Sequence, residues 1–389
     1  MNKLWVLMAT AFVDMLGFAM VFPLLPFYAQ NLGASPFTIG LLISAFSVAQ
    51  LATAPLWGRV SDRYGRRPAL LVGLATFVVA SIACALSRHV YALVAARFVQ
   101  AVSMSAIAVV PRAIVRDLYS GERAAHTLAL MGMVLGFAPV VAPILGSHMH
   151  AWLGWQSNFV LVALYAGVLW YCVHAWLPET LARRDASALV PRIAFANFAR
   201  LLRSRAFAGY TLVASFGFSG LFAFLAGSAF VFVAVMGESE QGFGVLFGTV
   251  MLGNITGSTL GSRLVRRVGI RAIVRAGTAL MLVAGLALGA LALADIRHPL
   301  AVVVPMFAFM VAFMLTMPPA TAGALTPFPD IAGSAASLLS FCQFVVASSA
   351  ALVVGLTFDG TARPMALTIG VASVAAFVAF RVADRALSR

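Results

Sequence analysis

Apolar residues fill the chain in runs of about 20, each closed by a short polar break. A run of that length spans the roughly 30 Å hydrocarbon core of a bilayer as a helix. Twelve runs can be placed, at 4–28, 37–60, 68–87, 90–116, 127–149, 155–177, 207–235, 241–264, 270–294, 299–319, 332–357 and 363–383. None shows the strict alternation of an outer-membrane barrel. The pattern predicts an all-α membrane protein with twelve transmembrane helices. One polar break is longer, PETLARRDASALVPRIAFANFARLLRSRA at 178–206. It divides the spans six and six: an N-terminal bundle over 1–177, a cytoplasmic linker over 178–206 and a C-terminal bundle over 207–389.

Composition agrees. Hydrophobic residues make up 62% of the 389 and charged residues 10%, against about 25% charged in a soluble chain. The first run is too long for a cleaved signal, has only Lys3 before it and contains Asp14, so it is expected to insert and stay.

The net charge of +14 suggests nucleic acid until its location is considered. With the N-terminus inside, the cytoplasmic breaks hold Arg59, Arg63, Arg66, Arg67, Arg116 and Arg123, then six linker arginines. Arg263, Arg266, Arg267, Arg271 and Arg275 follow, with Arg381, Arg385 and Arg389 in the tail. The other side has only Arg88, Arg297 and Arg363. That asymmetry places both termini in the cytoplasm and accounts for the charge without nucleic acid. Cys84, Cys172 and Cys342 all lie in apolar runs and lack disulfide or metal spacing. His148 and His150 do not make a metal site by themselves. No metal or cofactor is expected.

The halves carry a weak repeat. GRVSDRYGRR (58–67) follows the second run and SRLVRRVGIR (262–271) the eighth, with Gly65 and Gly269 in the same place. The first copy, with Gly58, Asp62, Arg63, Gly65, Arg66 and Arg67, resembles the loop signature of major facilitator drug/proton antiporters. RFVQAVS (97–103) is similar to that family's Arg-x-x-Gln-Gly motif, with Ala101 where Gly is usual. GFAPVVAPILGS (136–147) resembles its antiporter motif, with Ala142 at a usual Gly. TPFPDIAGSAASLLSFCQF (326–344), PRAIVRDLY and LPETL look like the bicyclomycin/chloramphenicol resistance subfamily. The first run, with Asp14, Pro23 and Pro26, looks closer to tetracycline-type exporters.

The resemblance implies the major facilitator fold, two six-helix pseudo-repeats with a substrate site between them. It implies that Gly58, Asp62, Arg63, Gly65, Arg66 and Arg67, with Asp117 as a second acid, form a cytoplasmic gate. In that gate Asp62 would face the N-terminus of a second-half helix, most plainly the eleventh. The second copy has Arg266 where the first has Asp62, so the lock is expected on one side only. In the fifth run, Gly132, Gly136, Pro139, Pro143 and Gly146 would let one helix pack closely and bend. Gly253, Gly257 and Gly261 line one face of the eighth and read as helix contact.

Asp14 is the only acid deep within a run. A charge there costs roughly 2.5–3.5 kcal/mol on insertion scales, so it needs a cavity or a partner. Counting from the ends of the first and fourth runs places Arg97 within its reach. Burial and a neighbouring arginine act on a carboxyl in opposite senses, so the pair is poised to exchange a proton. Asp14 and Arg97 are the candidate proton-coupling residues. Asp14, Phe18, Arg97, Gln100, Phe222 and Gln343 are the candidate cavity residues. Arg112, nearer the cytoplasmic end, reads as a snorkelling or loop-pairing arginine. FGFSGLFAFLAGSAFVF (216–232) is the candidate aromatic wall. The static alternative is an Asp14–Arg97 pair that merely ties two helices together.

The functional expectation is proton-driven export of small lipophilic drugs by a monomer in the bacterial inner membrane. Its partners are substrate, protons and the lipid bilayer. A metabolite exporter or proton symporter on the same fold is the alternative. A non-transporting sensor would need a signalling domain, and no polar stretch is long enough for one. ATP-driven pumping lacks a Walker sequence, and Lys3 is the only lysine.

Overall fold

The computed structural model describes residues 2–21, 25, 28, 33–34, 36–119, 121–181, 192–328 and 331–387. The described residues are almost entirely helical. They fall into two compact units, Met1–Val190 and Pro191–Arg389.

The first unit contains α1 (Asn2–Ala19), α2 (Pro36–Tyr64), α3 (Arg66–Ala85), α4 (Val90–Leu118), α5 (Gly121–Leu153) and α6 (Gln156–Trp176). Pro36 opens α2 where no backbone donor is missed. Helix α4 packs along α3 and α2, α3 along α6, and α1 against α5, α6 and α4. Small residues set the close approaches. A Cβ on Gly73 would meet the Ala106 side chain at 2.6 Å, and one on Gly17 would meet Phe77 at 2.9 Å.

The second unit contains a short α7 (Arg192–Arg203) and α8 (Arg205–Ala229), which runs on as a π-helical turn at Phe230–Val235. It continues with α9 (Glu240–Leu293), α10 (Leu300–Leu325), α11 (Ala332–Leu356) and α12 (Arg363–Leu387). Helix α9 is two helices joined at Gly269, whose φ of 77° interrupts the helical backbone. The first part presses on α10: a Cβ on Gly253 would meet the Phe307 carbonyl oxygen at 2.6 Å, and one on Gly257 would overlap the Val311 carbonyl. Gly261 is looser, with its nearest atom 3.6 Å away. Helix α8 is buried between α12 and α11.

Nine helices among the described residues are long and apolar enough to cross a membrane. The other three expected spans fall on α1, α2 and α5. Helix α1 ends at Ala19, and Pro23 and Pro26 of its expected continuation lie outside the described residues. Many side chains that point away from each unit's interior are aliphatic: Val79 is 67% exposed, Leu164 63%, Val283 64% and Val371 70%. Such a surface suits hydrocarbon rather than water.

Candidate functional site

Asp14 lies on α1 and is buried at 6% exposure. Its Oδ1 has no hydrogen-bond partner among the described residues. Gly17, almost one turn on, holds α1 close to Phe77 of α3 and Val162 of α6. The cation whose charge reaches the Asp14 carboxyl is Arg112 of α4.

Arg97 is fully buried on the same helix and turns elsewhere. Its Nη1 donates to Gln100 Oε1 at 2.5 Å. Gln100 Nε2 donates to Ser81 Oγ of α3 at 2.6 Å, and Ser81 donates to the Phe77 carbonyl at 2.7 Å. The Arg97 guanidinium lies 4.4 Å from the ring centre of Phe46 on α2. Phe46 in turn meets Phe18 at 6.1 Å. The structure therefore joins Arg97, Gln100 and Phe18 through Phe46, and does not place Arg97 against Asp14.

Helix length explains the difference. Helix α4 has 29 residues, about 43 Å at 1.5 Å per residue, well beyond the hydrocarbon thickness. Counting in from its outer end therefore overestimates how deep Arg97 sits. Counted from its other end, Arg112 lies about 9 Å in and Arg97 about 31 Å in, while Asp14 lies about 18 Å along α1.

The loop between α2 and α3 holds a second constellation. Gly65 joins the helices with φ 113°, and a Cβ there would overlap the Glu179 carboxylate. Arg66, 8% exposed, is its hub. Its Nη1 meets Asp62 Oδ1 at 2.5 Å and donates to Ser61 Oγ at 2.7 Å. Its Nε meets Asp117 Oδ2, near the end of α4, at 3.0 Å. Arg63 instead lies over the Tyr64 ring. Gly58 accepts from Ser61 through its carbonyl.

Glu179, just after α6, is the member that sequence reasoning missed. It accepts from the backbone N–H groups of Arg66 at 2.9 Å, Arg67 at 3.3 Å, Thr180 at 2.9 Å and Leu181 at 3.0 Å. Partial burial pushes the carboxyl up, but these four donors outweigh it and hold Glu179 below the usual carboxylate range. The signal was available: Gly65 stands at the N-cap of α3 and brings no side chain, so its first N–H groups need an acceptor from elsewhere.

The two halves repeat one detail. Arg67, two residues after Gly65, donates from Nη2 to the His174 carbonyl of α6 at 2.7 Å. Arg271, two residues after Gly269, donates from Nη2 to the Asp384 carbonyl of α12 at 2.9 Å and also pairs with the Asp384 carboxylate. Each arginine serves the C-terminal end of the last long helix of its unit, where a cation is favoured.

In the second unit, Phe222 is fully buried and packs with Phe218 at 4.9 Å and Phe344 at 6.2 Å. Phe218 also meets Phe344 at 5.5 Å and Phe313 at 6.3 Å, so the cluster bridges α8, α10 and α11. Gln343, beside Phe344, is 6% exposed and donates to the Met317 sulfur at 3.6 Å. Of the span-five positions, Pro143 and Gly146 of α5 are buried, and the Gly146 carbonyl accepts from Asn158 Nδ2 at 3.0 Å. The surroundings of Gly132, Gly136 and Pro139 lie outside the described residues. The cysteines are free. No group of three or more metal-ligating side chains occurs among the described residues.

The profile of the Major Facilitator Superfamily matches residues 7–352. The chain belongs to this superfamily. It is therefore a membrane transporter and not an enzyme. This major facilitator is 30% identical over 354 residues to the bicyclomycin resistance protein homolog of Haemophilus influenzae, covering 90% of this chain and 88% of that one. It is 29% identical to the chloramphenicol resistance protein of Pseudomonas aeruginosa, covering 90% of this chain and 83% of the relative. Among solved structures it is similar to the nucleoside transporter NupG, with a TM-score of 0.79 at 14% identity over 98% of this chain and 99% of that one. At that identity the likeness concerns the fold alone.

Proposed function

We propose that this major facilitator exports small lipophilic molecules from the cytoplasm in exchange for protons, by alternating access in the bacterial inner membrane. The observation that carries the reading is Asp14. It is a carboxyl sealed inside a bundle of membrane-crossing length, with one oxygen unpartnered among the described residues and a cation, Arg112, acting on it. A buried acid with an oxygen left open is a group that can gain and lose a proton as its surroundings open to water. A membrane potential supplies about 2.3 kcal/mol per charge per 100 mV, enough for a roughly fiftyfold gradient per proton. The bicyclomycin and chloramphenicol resistance proteins among the relatives support a drug-like cargo. So does the aromatic cluster around Phe222, which offers adaptable apolar contact. The Arg66 cluster, by this reading, biases one of the two access states.

The test is a host stripped of its own efflux pumps. Expression of the chain should raise tolerance to some lipophilic antibiotics several-fold, and an uncoupler should erase the gain. A gain that survives uncoupling contradicts proton coupling. No gain across a broad panel contradicts drug export.

A further inference from the structure

Arg97 has unfinished chemistry. A guanidinium has five N–H donors in one plane. The Gln100 amide takes the Nη1 corner and passes the chain on to Ser81. Nε and Nη2 have no acceptor among the described residues, although both are sealed from solvent. These two donors share one edge of the guanidinium, and their parallel N–H bonds match the two oxygens of a carboxylate. The Phe46 ring covers one face of the group, so a partner must come in the plane of that open edge.

A buried cation is costly unless an anion pairs with it. No carboxylate among the described residues does so here. The side chains nearest in electrostatic terms are the Cys84 thiol and the Tyr28 phenol. The charge that acts on Asp14 is that of Arg112, not Arg97. The missing partner is a planar anion, and Phe46 with Phe18 beside it would receive an aromatic or aliphatic body.

We infer that the open Nε/Nη2 edge of Arg97 is a binding site for the carboxylate of a lipophilic monocarboxylate, which makes such acids one substrate class of this exporter. The inference deepens the transport reading and rests on it for the movement of the ligand. The binding step stands on the geometry of Arg97. The site is closed in this conformation, so the ligand enters when the helices around α4 part. One carboxylate would satisfy both orphaned donors and neutralise the charge. Gln100 holds the guanidinium in orientation from the opposite corner.

Thermal unfolding of the purified full-length chain in detergent, at constant ionic strength, reads this directly. Benzoate should raise the Tm along a saturating curve. Benzamide has the same shape without the charge, and chloride is an anion without the planar pair of oxygens; neither should match it. Arg97→Lys keeps the charge and loses the fork, and should weaken the apparent benzoate affinity at least tenfold. If that variant does not fold, Gln100→Glu neutralises the guanidinium from its Nη1 corner and should weaken the apparent benzoate affinity. Equal shifts from benzoate and benzamide would overturn the site, as would an undiminished benzoate response in Arg97→Lys or, where that variant does not fold, in Gln100→Glu. Equal shifts from benzoate and chloride would overturn the carboxylate class in favour of a simple anion site. Drug efflux without any benzoate response rejects this inference and spares the exporter reading. A benzoate response in a chain that exports nothing does the reverse.

Discussion

Asp14 and Arg97 are two buried charged residues whose hydrogen bonding is incomplete in different ways. Among the described residues the carboxyl lacks a hydrogen-bond partner on one oxygen, and the guanidinium lacks acceptors for two of its nitrogens. Because the charge acting on Asp14 comes from Arg112, the pH profile of efflux should move in Arg112→Gln and stay in place in Arg97→Gln. Transport rate measured across a pH series in membrane vesicles checks this. A profile that moves with Arg97 and ignores Arg112 would restore the pairing that the sequence suggests. Asp14 itself is legible in the sequence because it is the one acid deep in an apolar run. Its electrostatic partner is not, because depth counted from a helix end inherits the error in where a 29-residue helix meets the membrane.

Helix α3 begins without a side-chain cap of its own, and Glu179 supplies one from beyond α6. Loss of such a cap costs about 1 kcal/mol, less where water screens the group, so Glu179→Gln should lower the Tm modestly. The sign with pH follows from the depressed Glu179 proton affinity. Its contribution is complete above the ordinary glutamate value of about 4.3 and fades as pH falls through the lower folded value. The Tm gap between parent and Glu179→Gln should therefore be constant near neutrality and close only in acid; a gap that closes between pH 6 and 8 would contradict the assignment. Gly65→Ala should cost more than Gly269→Ala. Both place a side chain at positive φ, a strain of about 1–3 kcal/mol, but only at Gly65 does the new Cβ strike a neighbour. Comparable Tm losses would contradict that. The Asp62, Gly65 and Arg66 pattern is readable because its members sit within five residues of one another. Glu179 is hidden because its contact with Arg66 spans 113 residues, and only folding brings α6 back along α3.

For the molecule as a whole, two compact units of six expected spans each are the material for an alternating-access cycle. The apolar runs mark the nine helices long and apolar enough to cross a membrane among the described residues. The break between the eighth and ninth runs is the turn at Gly269, whose positive φ separates two helices and which the repeat with Gly65 marks. Within the proposed cycle the Arg66 cluster influences transport by favouring one state. Asp62→Asn should then slow turnover while leaving substrate affinity within about twofold, since a bias acts only through the difference between states. Substrate binding and initial transport rates on the same preparation separate the two, and an affinity lost in proportion to the rate would place Asp62 in the binding site instead. The whole scheme depends on Asp14 taking and releasing the proton. Asp14→Asn keeps the shape and removes the titration. In proteoliposomes, the variant should exchange substrate across the membrane at equilibrium, as the parent does, yet accumulate none when a proton gradient is imposed. Full gradient-driven accumulation by a folded Asp14→Asn protein would contradict the assignment of Asp14 as the proton carrier.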